Sequence, residues 1–556
     1  MSTTQRTGGK IILETLAAAG IDRAFCVPGE SYLAVLDAFH DSNAVDLITC
    51  RHEAGAGLMA VADARLTRRP GVCFVSRGPG AANATIAIHV AQQDAVPVLF
   101  FVGQVERANL GRGAFQEVDY VKTYSDIAKW VVEVHDVSRL SDFVARGIHE
   151  ATAGTPGPVV ISVPEDMLED LSGSDVVQAS QPTALAPAET NVDRLVALLG
   201  RSERPLVLAG GDCEASEARA ALLAASEAWS LPVCATNKRQ HVFPNDHPNY
   251  GGHIGYIVPE DFAALLHQAD LVIAVGSRLG DVSTQNFRFP AAPCPAQPLV
   301  HIYPDAAAVG RNHKVDLGIV ANAGATLAAL AARAPVGVER RAQWVKQINE
   351  RVQAFACYEP EVLDDGIDFG RLASALAGRL QPDAIVTMDS GYYVAWAHNQ
   401  FRFKPTQELI AAVGGAMGLG VPGAVAASIR YPGRQVICLV GDGGFMMTGY
   451  ELATAMQAGA TPKVFVSNNS SYSVIRAHQE RAYPGRVVAT GLTNPDFAAM
   501  ARSFGATGLT ISGPDDVESV VEAALSEPGA VVVDVRTSLK KINPYKKIET
   551  RASGAR

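Results

Sequence analysis

The residues of this chain best equipped for chemistry lie late in it. Gly441-Asp442-Gly443-Gly444 is followed, more than twenty residues on, by Asn468-Asn469 and then Ser471. Magnesium takes oxygen ligands in octahedral geometry, and one or two protein groups plus phosphate oxygens usually hold it. Asp442 offers a carboxylate, Asn469 an amide oxygen and Ser471 a backbone carbonyl. Gly443 and Gly444 leave room for backbone N–H groups to approach a diphosphate closely, in an anion-binding nest near a helix start. With no ligand, the same stretch is a tight turn after a strand. A lone Gly-Asp-Gly supports no more than that, and the spaced asparagine pair is what favours the metal reading.

That reading requires two neighbouring parallel strands. The apolar run 436–440 leads into Gly441, and 463–466 leads into Asn468, with a helix expected between them from about Tyr450 to Gly459. Both runs would end at the carboxyl edge of a sheet, where α/β folds bind ligands. Similar runs precede turn residues at 72–76, 97–102, 159–163, 206–209, 271–275 and 384–388. They are almost continuously hydrophobic, as strands covered on both faces must be, and they alternate with helical stretches. At roughly 100–200 residues per domain, 556 residues hold about three domains. Residues 171–190, rich in Ser, Ala, Pro and Gln, read as a linker, and the charged stretch 334–368 reads as a helical connector. The expected fold is α/β, with three doubly wound parallel-sheet domains at 1–170, 191–333 and 369–540 and a basic tail at 541–556. The first and third blocks are candidates for one fold, although no close internal repeat is visible.

Bulk properties exclude several classes. Hydrophobic residues make up 48% and charged residues 19%, which fits a packed protein rather than a disordered one. A net charge of −10 argues against a nucleic-acid binder. No two of the eight cysteines have zinc-ribbon spacing, so reduced thiols in a reducing compartment are expected. Residues 1–10 carry no secretory pattern, and no apolar run reaches the roughly 20 residues of a membrane span. A cytoplasmic protein without a membrane partner is expected. No Gly-x-Gly-x-x-Gly opens a helix with an acid following, so a nicotinamide dehydrogenase ranks low.

The spacing of Gly441 to Ser471 resembles the thiamine-diphosphate signature of the pyruvate-decarboxylase and acetolactate-synthase superfamily. The likeness runs through Phe25-Cys26-Val27-Pro28-Gly29-Glu30, Arg51-His52-Glu53-Ala54, Gly78-Pro79-Gly80, Ala114-Phe115-Gln116-Glu117 and Gly414-Gly415-Ala416-Met417-Gly418. It implies an N-terminal block that binds the aminopyrimidine, a C-terminal block that binds the diphosphate and Mg2+, and a central block that takes a flavin or nucleotide in some members. It also implies active sites between subunits, hence a homodimer or homotetramer. Cofactor contacts are implied for Pro28, Gly29, Gly78, Asn83, Gly415 and Met417, beside Gly441, Asp442, Gly443, Gly444, Asn469 and Ser471. Met417 would sit beneath the bent cofactor; ordinary core packing suits it too, and both readings can hold. Glu53 would hydrogen-bond the pyrimidine ring nitrogen and favour the imino tautomer, whose exocyclic nitrogen then acts as a base. Read alone, it is an acid at a helix N-terminus.

On the substrate side the resemblance is broken. Phe115, Gln116 and Lys129 match acetolactate-synthase positions, with Gln116 a catalytic candidate. Val282 stands where the synthases carry an arginine, His478 where they carry a tryptophan, and Tyr392 and Tyr393 where they carry Gln and His. Losing the arginine removes a bidentate carboxylate partner. Arg77, which replaces a small residue, is a candidate substitute cation or else a salt bridge. His89, His478 and Tyr392 are candidate proton carriers, each equally readable as a structural group. Tyr303 stands where flavin-binding relatives have an acid while Asp305 remains, so FAD stays uncertain. The resulting expectation is a carboligase or decarboxylase of small 2-oxo acids. The alternative is a 2-oxo-acid decarboxylase or aldehyde lyase that makes no acetolactate. Intact Glu53, Asp442 and Asn469 argue against a non-catalytic binder, and the tail is read as a lid or a solvated segment.

Overall fold

The computed structural model describes residues 5–180, 183–545 and 547. Three six-stranded sheets organise them, and every strand pair within each sheet is parallel. The first sheet runs from Arg23–Cys26 to Pro158–Pro164, the second from Pro205–Ala209 to Leu317–Val320, and the third from Ile385–Met388 to Val531–Arg536. With strands numbered within their own sheet, the first and third share the spatial order 2-1-3-4-6-5, whereas the middle sheet has 3-2-1-4-5-6. The expected α/β architecture is therefore present, and the first and third blocks have one topology. No sequence repeat is needed for it, because topology needs only apolar strands and amphipathic helices in the right order.

Outside the sheets two expectations change in detail. Residues 171–190 are not all linker: Leu171–Ser172 pairs antiparallel with Arg6–Thr7, and the helix Glu189–Arg201 has already begun. The connector carries the helix Ala342–Ala356, whose Trp344, Ile348 and Val352 complete the middle core. The Trp344 indole donates to the Pro205 carbonyl at 2.8 Å. Charges dominate the connector's sequence because only this one stripe of the helix is buried.

A single apolar core joins the first and third sheets. Its centre is the contact between helix Glu53–Thr67 and helix Gly420–Arg430. The former is built of small residues because its neighbours are close: a Cβ at Gly57 would stand 2.5 Å from the Ala87 Cβ. Where this helix ends, ionic pairs tie in the middle domain. Arg65 and Arg68 each reach Glu214 at 2.7 Å, and Arg239 reaches it at 3.0 Å. Removing one partner from such a buried cluster costs about 3–5 kcal/mol, because it strands the other charge.

Candidate active site

The strand Val436–Gly441 passes directly into the helix Asp442–Thr448, so the first helical turn begins at the motif and not near Tyr450. Paired glycines disfavour a helix by propensity, and here tight packing overrides that preference. A Cβ at Gly443 would lie 2.5 Å from the Tyr472 ring, and one at Gly444 would lie 2.3 Å from Asp389 Oδ2.

Asp442 is buried at this junction. The Gly443 N–H donates to its Oδ1 at 2.9 Å, and Asn494 Nδ2 donates to its Oδ2 at 2.8 Å. Burial raises its pKa despite these bonds. Asn494 also donates to Asn468 Oδ1 at 3.0 Å, and Asn468 Nδ2 donates to Asp534 Oδ1 at 2.9 Å. The first asparagine of the pair is thus an internal brace. The second is different: Asn469 Oδ1 is buried and has no hydrogen-bond partner. Leaving a buried acceptor unsatisfied costs about 1–3 kcal/mol, and a bound cation would relieve that cost. The Ser471 hydroxyl donates to the Thr490 carbonyl at 2.9 Å, and its own carbonyl accepts from the Ser473 N–H at 2.7 Å. A carbonyl has two lone pairs, so one is left for a ligand. Among the described residues no group of three or more His, Cys, Asp or Glu could hold a metal. The mixed carboxylate, amide and carbonyl set is the candidate.

Asp442, Asn469 and Ser471 line one end of a cleft of about 1400 Å³. Gly415, Met417 and Tyr392 line the same cleft, which continues to Gly211 and Gly276 of the middle domain. Gly415 has φ +77° and Gly418 φ +100°, conformations that glycine adopts without strain. The Gly418 N–H donates to Asp389 Oδ1 and Oδ2 at 2.9 and 2.8 Å. Burial pushes Asp389 up to about 6. The Met417 methyl would lie 3.3 Å from a Cβ on Gly443, so its side chain covers that glycine.

A second set of residues gathers at the carboxyl edge of the first sheet. Glu53 opens its helix, and Asn83 Nδ2 donates to its Oε2 at 2.9 Å. The turn before it is fixed from the third domain: Glu451 Oε1 accepts the Arg51 and His52 N–H groups, both at 3.1 Å. Gly78, at φ +54°, has no room for a side chain, because a Cβ there would meet the Gln116 carbonyl at 2.8 Å. Pro28 precedes Gly29, where a Cβ would meet the Ser76 Cβ at 2.5 Å. None of Pro28, Gly29, Glu53, Gly78, Asn83 and Gln116 lines the cleft that holds Asp442.

The substrate-side candidates scatter. Arg77 is buried and paired with Glu165 at 2.6 Å and Glu30 at 3.2 Å, so it is a structural ion pair and not a spare cation. Lys129 donates to the Ala153 carbonyl and lines the middle-domain part of the cleft, which Phe115 and Gln116 do not. Phe115 is 74% exposed, and His89 is exposed on the helix Pro79–Asp94. Tyr392 and His478 do meet: the hydroxyl lies 3.2 Å from Nε2, while Nδ1 lies 2.6 Å from Arg481. Val282 lines the cleft. Lys238, His253 and His398 line it too, and the sequence reading passed over them. A usable signal existed for Lys238, which follows the buried strand Val233–Thr236 at the edge where such sheets bind ligands.

Residues 6–123 match the thiamine pyrophosphate enzyme N-terminal TPP binding domain, 192–330 its central domain and 389–535 its C-terminal TPP binding domain. Over 545 residues the chain is 32% identical to the acetolactate synthase large subunit of Parasynechococcus marenigrum, covering 95% of this chain and 87% of that one. The chain belongs to the thiamine pyrophosphate enzyme family, in its acetolactate-synthase-like group. It is 31% identical to the acetolactate synthase isozyme 1 large subunit of Escherichia coli, over 96% of this chain and 95% of that one. The Lactococcus lactis acetolactate synthase large subunit is 30% identical over 93% and 91%. All three domains of a thiamine pyrophosphate enzyme are matched in this one chain. Glu53, Asn83 and Gln116 fall in its N-terminal TPP binding domain, and Met417, Asp442 and Asn469 in its C-terminal one.

Proposed function

We propose that this enzyme is a thiamine-diphosphate- and Mg2+-dependent carboligase that decarboxylates a small 2-oxo acid, such as pyruvate, and joins the remaining fragment to a second carbonyl compound. The observation that carries the proposal is the buried, unpartnered Asn469 Oδ1 in the same cleft wall as Asp442. A divalent cation held there would supply what that oxygen lacks.

Asp442, Asn469 and the Ser471 carbonyl would hold the metal. Thiamine diphosphate, when bound, supplies the carbon nucleophile and the electron sink. Glu53 would hold a proton against the pyrimidine ring nitrogen, with Asn83 fixing the carboxylate that does so. Gly415 brings backbone groups close without a side chain, and Met417 fills the space above Gly443. Gln116, beside Gly78, would face the substrate. Because Glu53 and Asp442 do not share a cleft within one chain, we assign the working unit as at least a homodimer, with the N-terminal domain of one protomer facing the C-terminal domain of the other. The cysteines, all free and six of the eight buried, support a reducing, cytoplasmic setting. No helix of the described residues is long and apolar enough to cross a membrane.

The middle-domain half of the cleft lies where the strand order reverses, the usual nucleotide position in such sheets. Its Asp305 is already engaged by the Thr155 hydroxyl at 2.5 Å and the Ala307 N–H at 2.9 Å. Asp212, raised to about 6 by burial, is the less committed acid there. We assign FAD no step.

The test is NMR of products from pyruvate, with and without thiamine diphosphate and Mg2+. Cofactor-dependent acetolactate would support the carboligase. The second reading, a decarboxylase or aldehyde lyase, rests on the changed wall residues Val282 and Tyr392, and acetaldehyde as sole product would favour it. No turnover with cofactor bound would overturn pyruvate as the donor.

A further inference from the structure

Val282 lines the cleft where the resemblance to acetolactate synthases implies an arginine, and Arg77, the candidate replacement, is spent on Glu165 and Glu30. Another cation occupies that wall. Lys238 follows the middle-domain strand Val233–Thr236 and reaches across to the third domain. Its Nζ donates to the Ala412 carbonyl at 2.6 Å and to Ser390 Oγ at 3.2 Å. Both acceptors are neutral. An ammonium has three donors, so one N–H is left without a partner among the described residues.

Lys238 is only 7% exposed, and no carboxylate of the described residues lies within ion-pair distance of it. The acids nearest to it electrostatically, Asp94 and Asp389, are engaged elsewhere. Asp94 accepts the Val413 N–H at 2.8 Å and stands 3.8 and 3.9 Å from Arg65 and Arg239. Asp389 accepts the Gly418 and Ser390 N–H groups. A buried, unpaired ammonium is costly unless an anion arrives to pair with it. Burial accordingly pulls Lys238 down to about 8.

Two imidazoles share this corner. His253 and His398 have ring centroids 5.4 Å apart, both line the cleft, and burial lowers both, His253 to about 4. They are neutral donors at working pH. His398 is 8% exposed, and its Nδ1 is buried with no partner. The corner therefore offers a cation and an uncommitted ring nitrogen in the cleft that holds Met417 and Asp442.

We propose that Lys238, with His398 beside it, is the carboxylate-recognition site for the donor acid, replacing the cation lost at Val282. The proposal rests on the carboligase reading above and names where that reading's substrate is held. Lys238 is a binding residue for a small monocarboxylate bearing an adjacent carbonyl. Ser390 and Ala412 take two of its N–H groups and leave the third for the ligand.

The test uses the full chain loaded with thiamine diphosphate and Mg2+, with pyruvate and its neutral amide, pyruvamide, as probes. Binding and turnover are measured for the wild type, Lys238→Met and Lys238→Arg, with cofactor affinity followed by calorimetry as a folding control. We expect Lys238→Met to weaken pyruvate, as Kd and as KM, by about tenfold or more. It should leave pyruvamide and cofactor affinity within about twofold, and Lys238→Arg should recover most of the pyruvate loss. Equal loss of both probes in Lys238→Met would overturn the proposal, because that marks a structural role. Unchanged pyruvate binding in a folded Lys238→Met would overturn it too, while leaving the carboligase reading intact. Should the wild type bind cofactor but neither bind nor turn over pyruvate, the donor reading and the site built on it fall together.

Discussion

The first and third sheets thread their strands in the same order but end in different chemistry. After the second strand, the first sheet presents Glu53 and the third presents Gly415 and Met417. After the third strand, the first sheet presents Gly78 and the third Asp442. Glu53 is only half-buried and takes one side-chain hydrogen bond, from Asn83. Asp442 is buried and raised by its surroundings. In the function proposed above, one edge would hold a proton on a ring nitrogen and the other a cation and a diphosphate. The helices that follow the equivalent strands, Glu53–Thr67 and Gly420–Arg430, pack on each other and fix the two edges within one core. A duplicated scaffold supplies position, and the residues at its strand ends supply function.

The sharpest way to break that division is at the metal. Asp442→Ala should lower kcat/KM by at least about 10³-fold and abolish cofactor binding in calorimetry. Chelation of Mg2+ should give the same loss, reversed on adding metal back to the wild type and not to the variant. Retained cofactor affinity in Asp442→Ala would place the cation elsewhere.

At the other edge, Glu53→Gln should lower kcat about 10²–10³-fold while cofactor affinity changes by less than about tenfold, as expected for a group that acts on a proton. A loss confined to affinity would make Glu53 a binding residue and erase the contrast. Next in size is Gly443→Ala. Its Cβ would press on the Tyr472 ring, and such overpacking costs about 1–3 kcal/mol. We expect cofactor affinity to fall about tenfold with a lower Tm, whereas unchanged values for both would show that the glycine pair is not a close-fitting wall.

Smallest in catalysis is Arg77→Met. Arg77 is bound to two partly exposed acids, so we expect a drop of a few degrees in Tm and a substrate KM within about twofold. A tenfold rise in KM would return Arg77 to the substrate.

Much of this was legible in the sequence. Continuous apolar runs ending in glycine marked the parallel strands, because strands buried on both faces leave no alternation. Asp442 and Asn469 stood out because their residue types and spacing suit one metal. Other features lay beyond that reading. The helix at Asp442 escaped it because glycines argue against helix until their neighbours are known. Sequence left Arg77 open between a substrate cation and a salt bridge because Glu165 lies far away in sequence and touches Arg77 only in the fold. Lys238 was overlooked although the strand before it marks a ligand-binding edge, because nothing local says that its ammonium will be buried with only neutral partners. The described part of the tail is held by Lys541 on Glu361 at 2.8 Å and by Tyr545 on Asn399 at 2.8 Å, while residues 546 and 548–556 lie outside the described residues.

The division between the two edges has one direct test. Glu53→Gln and Asp442→Ala chains, each inactive alone, are co-expressed with different tags, and dimers carrying both tags are isolated. If Glu53 of one chain works with Asp442 of the other, each mixed dimer keeps one intact site and about half of the wild-type activity returns. If both residues act within a single chain, every site in the mixed dimer is broken, and activity stays at the level of the parent variants.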